Sequence, residues 1–294
     1  MAVTQDRLFG KSIKRTEDPR FITGRGNYVD DVKLTGMTYA AFVRSPFAHA
    51  RILAIDTAEA RRHPGVALVM TGAELAKLCT GPWVGTLTCF AGMKSAPQYP
   101  MAVDRACWSG EPVAMVVART RAEAEDAVEK IIVDWEELPA VTEKKTALDP
   151  GTPPIHPDLG DNLAFRKVID TGHVDDVFAK ADLVIEDTFD FGRHTAVSLE
   201  PRGLLAAYDK ATGKLTVHTS SQCPHMIQFV FARTLGVPDH NVQIIAPDVG
   251  GSFGLKIHTY GDEVAAVAAS IQLGRPVKFI ADRLESFVSD IHAR

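Results

Sequence analysis

The sequence predicts a mixed α+β protein with two domains. Strand-like and helix-like segments alternate along the chain, and a segment rich in proline and glycine divides it at residues 148–160. At 294 residues the chain also exceeds the usual size of one domain. Hydrophobic residues make up 46% of the sequence and charged residues 23%, which excludes a disordered or fibrous chain.

Strands and helices alternate through the first predicted domain, residues 1–147. Thr120 and Glu123 form a capping-box pattern, which predicts that a helix begins there. The run V-A-M-V-V-A is short and partly β-branched, so it predicts a buried strand. The predicted strands lie at 37–43, 66–70, 113–118 and 131–135, and the predicted helices lie at 57–62 and 120–130.

A linker and a second domain, residues 161–294, follow. The linker at 148–160 carries four prolines, which deny regular hydrogen bonding. Pro224 suits the first position of a helix, and Gly236 stands where a C-terminal cap belongs. Strands are predicted at 183–191, 215–219, 242–245 and 277–280, and helices at 174–180, 224–235 and 262–273.

Charge and cysteine usage exclude several classes of protein. The net charge is −5 and basic residues form no stripe, so nucleic acid is not an expected partner. The four cysteines contain no C-x-x-C pair, so neither an iron–sulfur cluster nor a zinc site is predicted in this chain. No window approaches ~18 consecutive apolar residues, so no membrane span is predicted. The N-terminal residues lack the apolar core of an export signal, and a cytoplasmic protein with reduced thiols is expected.

The sequence "APDVGGSFGLK" at 246–256 is the main candidate for a binding loop, because it directly follows a predicted strand. Glycine permits positive φ and close approach of a ligand, so successive N–H groups from Gly250 to Gly254 could bind a phosphate, an oxyanion or a metal-oxo group. Phe253 could form a wall beside a planar substrate or cofactor. A tight turn whose phenylalanine fills the core is the alternative, since the loop is neither G-x-G-x-x-G nor a P-loop.

Five longer stretches occur in an order that points to one family. They are "GRGNYVDDVKLTGMTYAAFVRSPFAHARI" (24–52), "GEPVAMVVARTRAEAEDAVEKIIVDWEELPAV" (110–141), "LEPRGLLAAYD" (199–209), "TSSQCPHMIQFVFARTLGVP" (219–238) and "VGGSFGLK" (249–256). Together they resemble the N-terminal part of the molybdenum-binding large subunit of the xanthine dehydrogenase/aldehyde oxidase/carbon monoxide dehydrogenase family. This resemblance implies an α/β-hammerhead domain followed by the first part of a molybdenum-cofactor-binding domain.

The resemblance also implies a reaction and partners. In this family molybdenum, held by the dithiolene of a pterin cofactor, hydroxylates a carbon with oxygen from water. The pterin is expected in its cytosine dinucleotide form. The implied substrate is an aldehyde, an N-heteroaromatic compound or CO. Electrons are expected to pass to an Fe-S small subunit and an FAD medium subunit, which agrees with the lack of cluster-type cysteine spacing in this chain.

The resemblance assigns the cofactor contacts to two loops. Gln222 matches a glutamine whose side-chain amide donates toward an oxo ligand of the metal, a role that suits a donor that does not titrate. The alternative is a turn glutamine that bonds free N–H groups of the next helix. The cofactor-binding residues of the second loop are Gly250, Gly251, Ser252, Phe253 and Gly254.

Two positions depart from the family pattern. Ser252 stands where a third glycine is usual, and its hydroxymethyl group is expected to perturb the fit of the cofactor. Ile257 stands where purine-oxidising members carry a glutamate, which argues against xanthine as substrate. Phe253 and Ile257 are the residues expected near the substrate.

No catalytic residue is predicted in this chain. The general-base glutamate of the family lies in a Gly-x-Gly-Glu segment farther toward the C-terminus, so a natural split or a truncation is expected, with a second half of the large subunit as partner. Glu111, in "SGEPVA", is interpreted as structural, and Cys223 as a buried thiol. A catalytically silent assembly module that binds partner subunits without cofactor remains the alternative function.

Overall fold

The computed structural model describes residues 9–82, 91–96, 98–192 and 194–291, which form a mixed α/β fold. Its strands are β1 (Thr38–Arg44), β2 (Ala50–Asp56), β3 (Val66–Thr71), β4 (Arg105–Ala106), β5 (Pro112–Ala118), β6 (Ile132–Glu137), β7 (Gly203–Asp209), β8 (Lys214–Thr219), β9 (Val242–Ile245) and β10 (Val277–Ile280). Its α-helices are α1 (Asp18–Phe21), α2 (Ala58–Arg62), α3 (Gly72–Ala76), α4 (Arg121–Val128), α5 (Val174–Ala179), α6 (Pro224–Leu235), α7 (Gly261–Leu273) and α8 (Arg283–Ser289). Within these described ranges, no helix is both long enough and apolar enough to cross a membrane.

Two sheets organise the chain. The larger sheet has seven strands in the order β3-β5-β1-β10-β7-β8-β9, and the smaller has the order β4-β2-β6. Strands β1 and β10 pair in parallel, as do β8 and β9, while the other pairings are antiparallel. The large sheet therefore contains strands from both sides of residues 148–160, and the domain boundary there stays a prediction from composition.

Strand β5 lies inside the large sheet and separates two hydrophobic cores. All of its residues are buried. Met115 and Val117 face the larger core, which includes α6 and α7. Ala114 and Val116 face the smaller core, where α2 and α4 pack. Successive side chains of a strand point to opposite faces, so one apolar run supplies both cores.

Helix α7 is buried almost throughout because its side chains are small. The run VAAVAAS packs against the large sheet in the main core. A Cβ at Gly261 would lie 2.1 Å from the backbone oxygen of Pro100, so this position requires the close approach that glycine permits. The helix ends at Gly274, whose φ of +65° gives the left-handed cap expected there.

Arg202, immediately before β7, holds the start of α7 with a buried ion pair. Its guanidinium donates to Asp262 at 3.0 and 3.1 Å and lies 3.6 Å from the centre of the Tyr260 ring. Burial opposes ionisation of Asp262, but Arg202 and Arg44 outweigh that effect and hold the pKa of the carboxyl well below its ordinary value. The charges at the start of α7 are thus compensated within the fold.

Most predicted elements are confirmed, including the capping box at Thr120 and Glu123 and the caps of α6 at Pro224 and Gly236. The strand predicted at 183–191 is wrong: the residues are exposed and have no strand assignment. Their alternating apolar pattern favours a strand, but a strand also needs a neighbour to accept its backbone hydrogen bonds. Strands β2, β4 and β7 and helices α1, α3 and α8 were not predicted from the sequence.

Candidate cofactor-binding site

The candidate site lies at one edge of the large sheet, where β8 and β9 end side by side. The two strands pair in parallel, with Leu215 opposite Val242 and His218 opposite Ile245. Parallel pairing places the carboxyl ends of both strands at the same edge. The turn that contains Gln222 follows β8, and the glycine loop follows β9, so the register of this pair brings the two predicted segments together.

Direct hydrogen bonds join the turn to the loop. The hydroxyl of Ser252 donates to Oε1 of Gln222. The backbone N–H of Gln222 donates to the carbonyl oxygen of Lys256 at 3.2 Å, and the Ser221 hydroxyl donates to the same oxygen at 3.2 Å. Gln222 and the glycine loop therefore form one unit, held by backbone as well as side-chain contacts.

Glycine is required at specific positions of this loop. A Cβ at Gly250 would lie 2.5 Å from Cβ of Glu200, which is closer than two non-bonded carbon atoms can approach. Gly251 and Gly254 have φ values of +98° and +99°. Phe253 has a φ of +53°, an uncommon conformation for a residue with a side chain. Ser252, between Gly251 and Phe253, has a negative φ.

The sign of φ alternates from Gly251 to Phe253, and such alternation directs successive N–H groups into a concave, anion-binding arrangement. In the described part of the chain, the N–H groups of Gly251, Ser252, Phe253 and Gly254 have no acceptor. The side-chain N–H2 of Gln222 also has none among the described residues. These donors suit a ligand that carries phosphate or oxygen acceptors, so the residues present fit a molybdenum–pterin group.

Phe253 lies on the surface of the described chain, with 78% of its area exposed. Within the described chain, the ring therefore fills no core. Ile257 lies in the short 3₁₀-helix Leu255–Ile257 after the loop and is half-buried. The Gln222 side chain accepts from Ser252, and no hydrogen bond to the free N–H groups of α6 is present among the described residues.

Glu200, which was not predicted as a site residue, joins three parts of the site. Its Oε2 accepts hydrogen bonds from the Gly250 N–H at 2.7 Å, the Ser220 hydroxyl at 2.5 Å and the Lys256 ammonium at 3.0 Å. Its Oε1 accepts from the Val29 N–H at 3.4 Å. One carboxylate thus fixes the start of the glycine loop, the end of β8 and a segment near the N-terminus.

Lys256 is the second residue of the site that was not predicted from the sequence. Its side chain is fully buried, and its Nζ donates to Glu200 and, at 2.7 Å, to the hydroxyl of Ser220. Burial lowers the pKa of this lysine, and the neighbouring Glu200 carboxylate partly offsets the change. Only their positions in the sequence could have indicated a role in the site. Glu200 lies just before β7, and Lys256 is the last residue of the glycine loop.

Asp248 anchors the residues that lead into the loop. Arg20 donates to its Oδ1 at 2.7 Å, and the Asn27 N–H donates to its Oδ2 at 2.8 Å. The Asp248 N–H donates in turn to the Asn27 carbonyl at 3.0 Å. The Arg20 guanidinium and the Asn27 N–H lower the pKa of Asp248 to about 2, so it stays ionised near neutral pH.

Glu111 and Cys223 are the other groups that the sequence singles out. Glu111 is buried and accepts a hydrogen bond from the Cys107 N–H at 2.6 Å, which fits a structural role. Cys223 precedes α6 and is half-buried rather than buried. In the ranges that the structure describes, no group of three or more His, Cys, Asp or Glu side chains could hold a metal ion.

Comparison with protein families identifies both halves of the chain. Residues 23–139 match the aldehyde oxidase and xanthine dehydrogenase a/b hammerhead domain, and residues 155–294 match the molybdopterin cofactor-binding domain. The chain belongs to the xanthine dehydrogenase/aldehyde oxidase/carbon monoxide dehydrogenase family. The expected fold, a hammerhead domain with the first part of a molybdenum-cofactor-binding domain, is confirmed.

Similar proteins span the family. The carbon monoxide dehydrogenase large chain of Afipia carboxidovorans is 40% identical over 95% of this chain and 36% of its own length. The nicotine 6-hydroxylase large subunit of Paenarthrobacter nicotinovorans is 36% identical over 97% of this chain and 35% of its own. The crystal structure of quinoline 2-oxidoreductase from Pseudomonas putida 86 has a TM-score of 0.90 and 40% identity, covering 97% of this chain and 36% of that one. The chain thus spans about a third of the length of these relatives.

Proposed function

We propose that this chain supplies part of the cofactor site in the large subunit of a molybdenum hydroxylase. The enzyme would oxidise an aldehyde, an N-heteroaromatic compound or CO with water as the oxygen source. The observation that carries the proposal is the meeting of the Gln222 turn and the glycine loop at one sheet edge, where both present N–H donors without acceptors in the described chain. Relatives that include a carbon monoxide dehydrogenase and a nicotine hydroxylase support it.

The donors define which residues would hold the cofactor. The N–H groups of Gly251 to Gly254 and the amide of Gln222 would bind a molybdenum–pterin group, which we expect in its cytosine dinucleotide form. When bound, this group supplies the two-electron oxidation and the transfer of oxygen from water to the substrate. Backbone and carboxamide donors do not titrate, so they orient acceptor atoms equally well across the physiological pH range.

Two apolar side chains would form the substrate side of the site. The exposed ring of Phe253 offers an apolar surface against which a planar substrate could stack. Ile257 cannot hydrogen-bond a purine, which favours an aldehyde, a simple N-heteroaromatic compound or CO over xanthine. The catalytic base would come from the part of the large subunit that this chain does not span.

Further polypeptide is needed to complete the proposed enzyme. Five apolar side chains of the segment 183–191 are between 53% and 81% exposed: Leu183, Val184, Ile185, Phe189 and Phe191. So many exposed apolar side chains in one short segment are unusual for a protein that acts alone. We propose that the second half of the large subunit covers it, and that an Fe-S small subunit and an FAD medium subunit accept the electrons.

Molybdenum and pterin analysis of the assembled protein tests the proposal. This chain is co-expressed with the second half of the large subunit and both partner subunits, and also purified alone. Stoichiometric molybdenum in the assembly supports the enzyme, whereas no molybdenum in either preparation supports the silent assembly module. Gln222→Ala should lower turnover of the assembly while leaving subunit composition intact, with exposed Gln272→Ala as matched control.

A glycine variant adds a structural test of the same site. Gly250→Ala places a Cβ 2.5 Å from Glu200, so the loop must shift and molybdenum content should fall on the order of 10-fold. Gln272→Ala is the control, since this exposed residue near the end of α7 lies outside both the loop and the segment 183–191. Equal molybdenum content in the two variants would refute the assignment of the cofactor to this loop.

A further inference from the structure

The hydroxyl of Ser252 has a defined set of hydrogen bonds. It accepts a hydrogen bond from the backbone N–H of Lys256 at 3.1 Å. A serine hydroxyl carries a single proton to donate, and Oε1 of Gln222 is its acceptor within the described residues. Because Oε1 of a carboxamide can only accept, the hydroxyl proton points toward Gln222, while one lone pair of Oγ accepts from the Lys256 N–H.

This contact decides which way the Gln222 carboxamide faces. The terminal torsion of a glutamine is broad and roughly two-fold, so its oxygen and nitrogen are easily exchanged unless hydrogen bonds distinguish them. Because the oxygen accepts from Ser252, the N–H2 group must lie on the opposite side. Gln222 is exposed and has no further side-chain partner among the described residues, so no other protein contact in that part of the chain sets its orientation.

The backbone keeps the two residues in register. The Gln222 N–H and the Ser221 hydroxyl both donate to the Lys256 carbonyl, while the Lys256 N–H donates to Ser252. Lys256 therefore holds both ends of the Ser252–Gln222 contact at a fixed separation. The hydrogen bond between Ser252 and Gln222 therefore depends on the backbone contacts that join the turn to the loop, and not only on the conformation of one side chain.

We propose that Ser252 is a positioning residue that fixes the Gln222 carboxamide with its N–H2 group free to donate to the cofactor. The hydroxymethyl group of Ser252 was expected to perturb the fit of the cofactor. The proposal instead gives its hydroxyl a hydrogen-bond partner, Gln222, and a role in orienting that side chain. This inference rests on the proposed function, since Gln222 acts only if the cofactor binds beside it.

The first test uses the assembled enzyme and the variants Ser252→Ala and Ser252→Thr. Loss of an orienting partner typically costs 10–100-fold, so Ser252→Ala should lower kcat on the order of 10-fold with KM and molybdenum content unchanged. Ser252→Thr keeps a hydroxyl and should recover most of kcat. Exposed Ser109→Ala is the matched control.

A double variant separates positioning from a general effect on the loop. If Ser252 acts through Gln222, Ser252→Ala should add nothing to the loss caused by Gln222→Ala. Losses that multiply in the double variant would overturn the proposal. So would a Ser252→Ala enzyme with unchanged kcat.

Crystal structures of wild-type and Ser252→Ala protein give a readout that is independent of activity. The proposal expects the Gln222 side chain to be ordered against Ser252 in the wild type and to adopt another orientation in the variant. The same orientation in both structures would overturn it. If the wild-type assembly contains no molybdenum, the proposed function fails, and these structures still decide whether Ser252 positions Gln222.

Discussion

Removing the charge of Glu200 should destabilise the chain in a way that depends on pH. Glu200→Gln leaves the Lys256 ammonium, which is fully buried, without its carboxylate partner at 3.0 Å. Breaking a buried pair from one side typically costs 3–5 kcal/mol, because an uncompensated charge remains inside the protein. The measurement is urea unfolding of the full chain, followed by circular dichroism at pH 7 and pH 9.

The loss of stability in Glu200→Gln has an upper limit, because Lys256 can release its proton instead of remaining a buried charge. From an ordinary pKa of 10.5, deprotonation at pH 7 costs about 5 kcal/mol, and at pH 9 about 2 kcal/mol. The electrostatic part of the loss should therefore fall from at most about 5 to at most about 2 kcal/mol between these pH values. The sign follows because the folded variant binds fewer protons than the unfolded chain, so its stability rises with pH.

A double variant and a control sharpen this prediction. Glu200→Gln with Lys256→Met removes both charges, and it should recover most of the stability lost by the single change. Glu186→Gln changes an exposed carboxylate and should alter the free energy of unfolding by less than about 0.5 kcal/mol. A loss below about 1 kcal/mol for Glu200→Gln at pH 7, or an equal loss at both pH values, would refute the reasoning.

Two further predictions concern other parts of the chain. Burial raises the pKa of Glu111 from 4.5 to about 7. Between these pH values the folded chain keeps a proton that the unfolded chain releases. The free energy of unfolding should therefore fall by up to about 3 kcal/mol as pH rises from 4.5 to about 7. Glu111→Gln should remove that fall in urea unfolding at pH 5 and pH 8; a variant with the wild-type pH dependence would contradict this account. Backbone amides of residues 183–191 should exchange rapidly in the chain alone and at least ~100-fold more slowly in the assembled enzyme, measured by hydrogen exchange with mass spectrometry. Equal exchange in both preparations would show that the second half of the large subunit does not cover this segment.

Local sequence signals predicted the elements whose formation depends on local chemistry. The capping box at Thr120, the proline that opens α6 and the glycine that ends α7 all lie where the sequence places them. Strand β7 was missed because its leucine and alanine run has no β-branched residue and no alternation. The segment 183–191 has both signals, yet forms no strand, because strand pairing is a property of the surrounding structure.

The candidate site was predictable only in part, for a related reason. Gln222 and the glycine loop each follow a predicted strand, and the family resemblance links them. Glu200 precedes a strand instead, so it reaches the same edge only because β7 runs antiparallel to β8, with Leu204 opposite Thr219. That pairing is not encoded in the residues around Glu200, and neither is the buried ion pair with Lys256 that depends on it.

The pairing of Glu200 with Lys256 also determines what kind of recognition the loop can offer. A free lysine beside a glycine loop would attract any anion through its charge, and the attraction would depend strongly on salt. Here the ammonium is buried and its charge is compensated by Glu200. The donors without an acceptor among the described residues are the backbone N–H groups of Gly251 to Gly254 and the Gln222 amide. Binding at this loop should therefore depend on loop geometry more than on net charge. A change at Gly250 that keeps every charge should harm cofactor retention, whereas raising the salt concentration should have little effect.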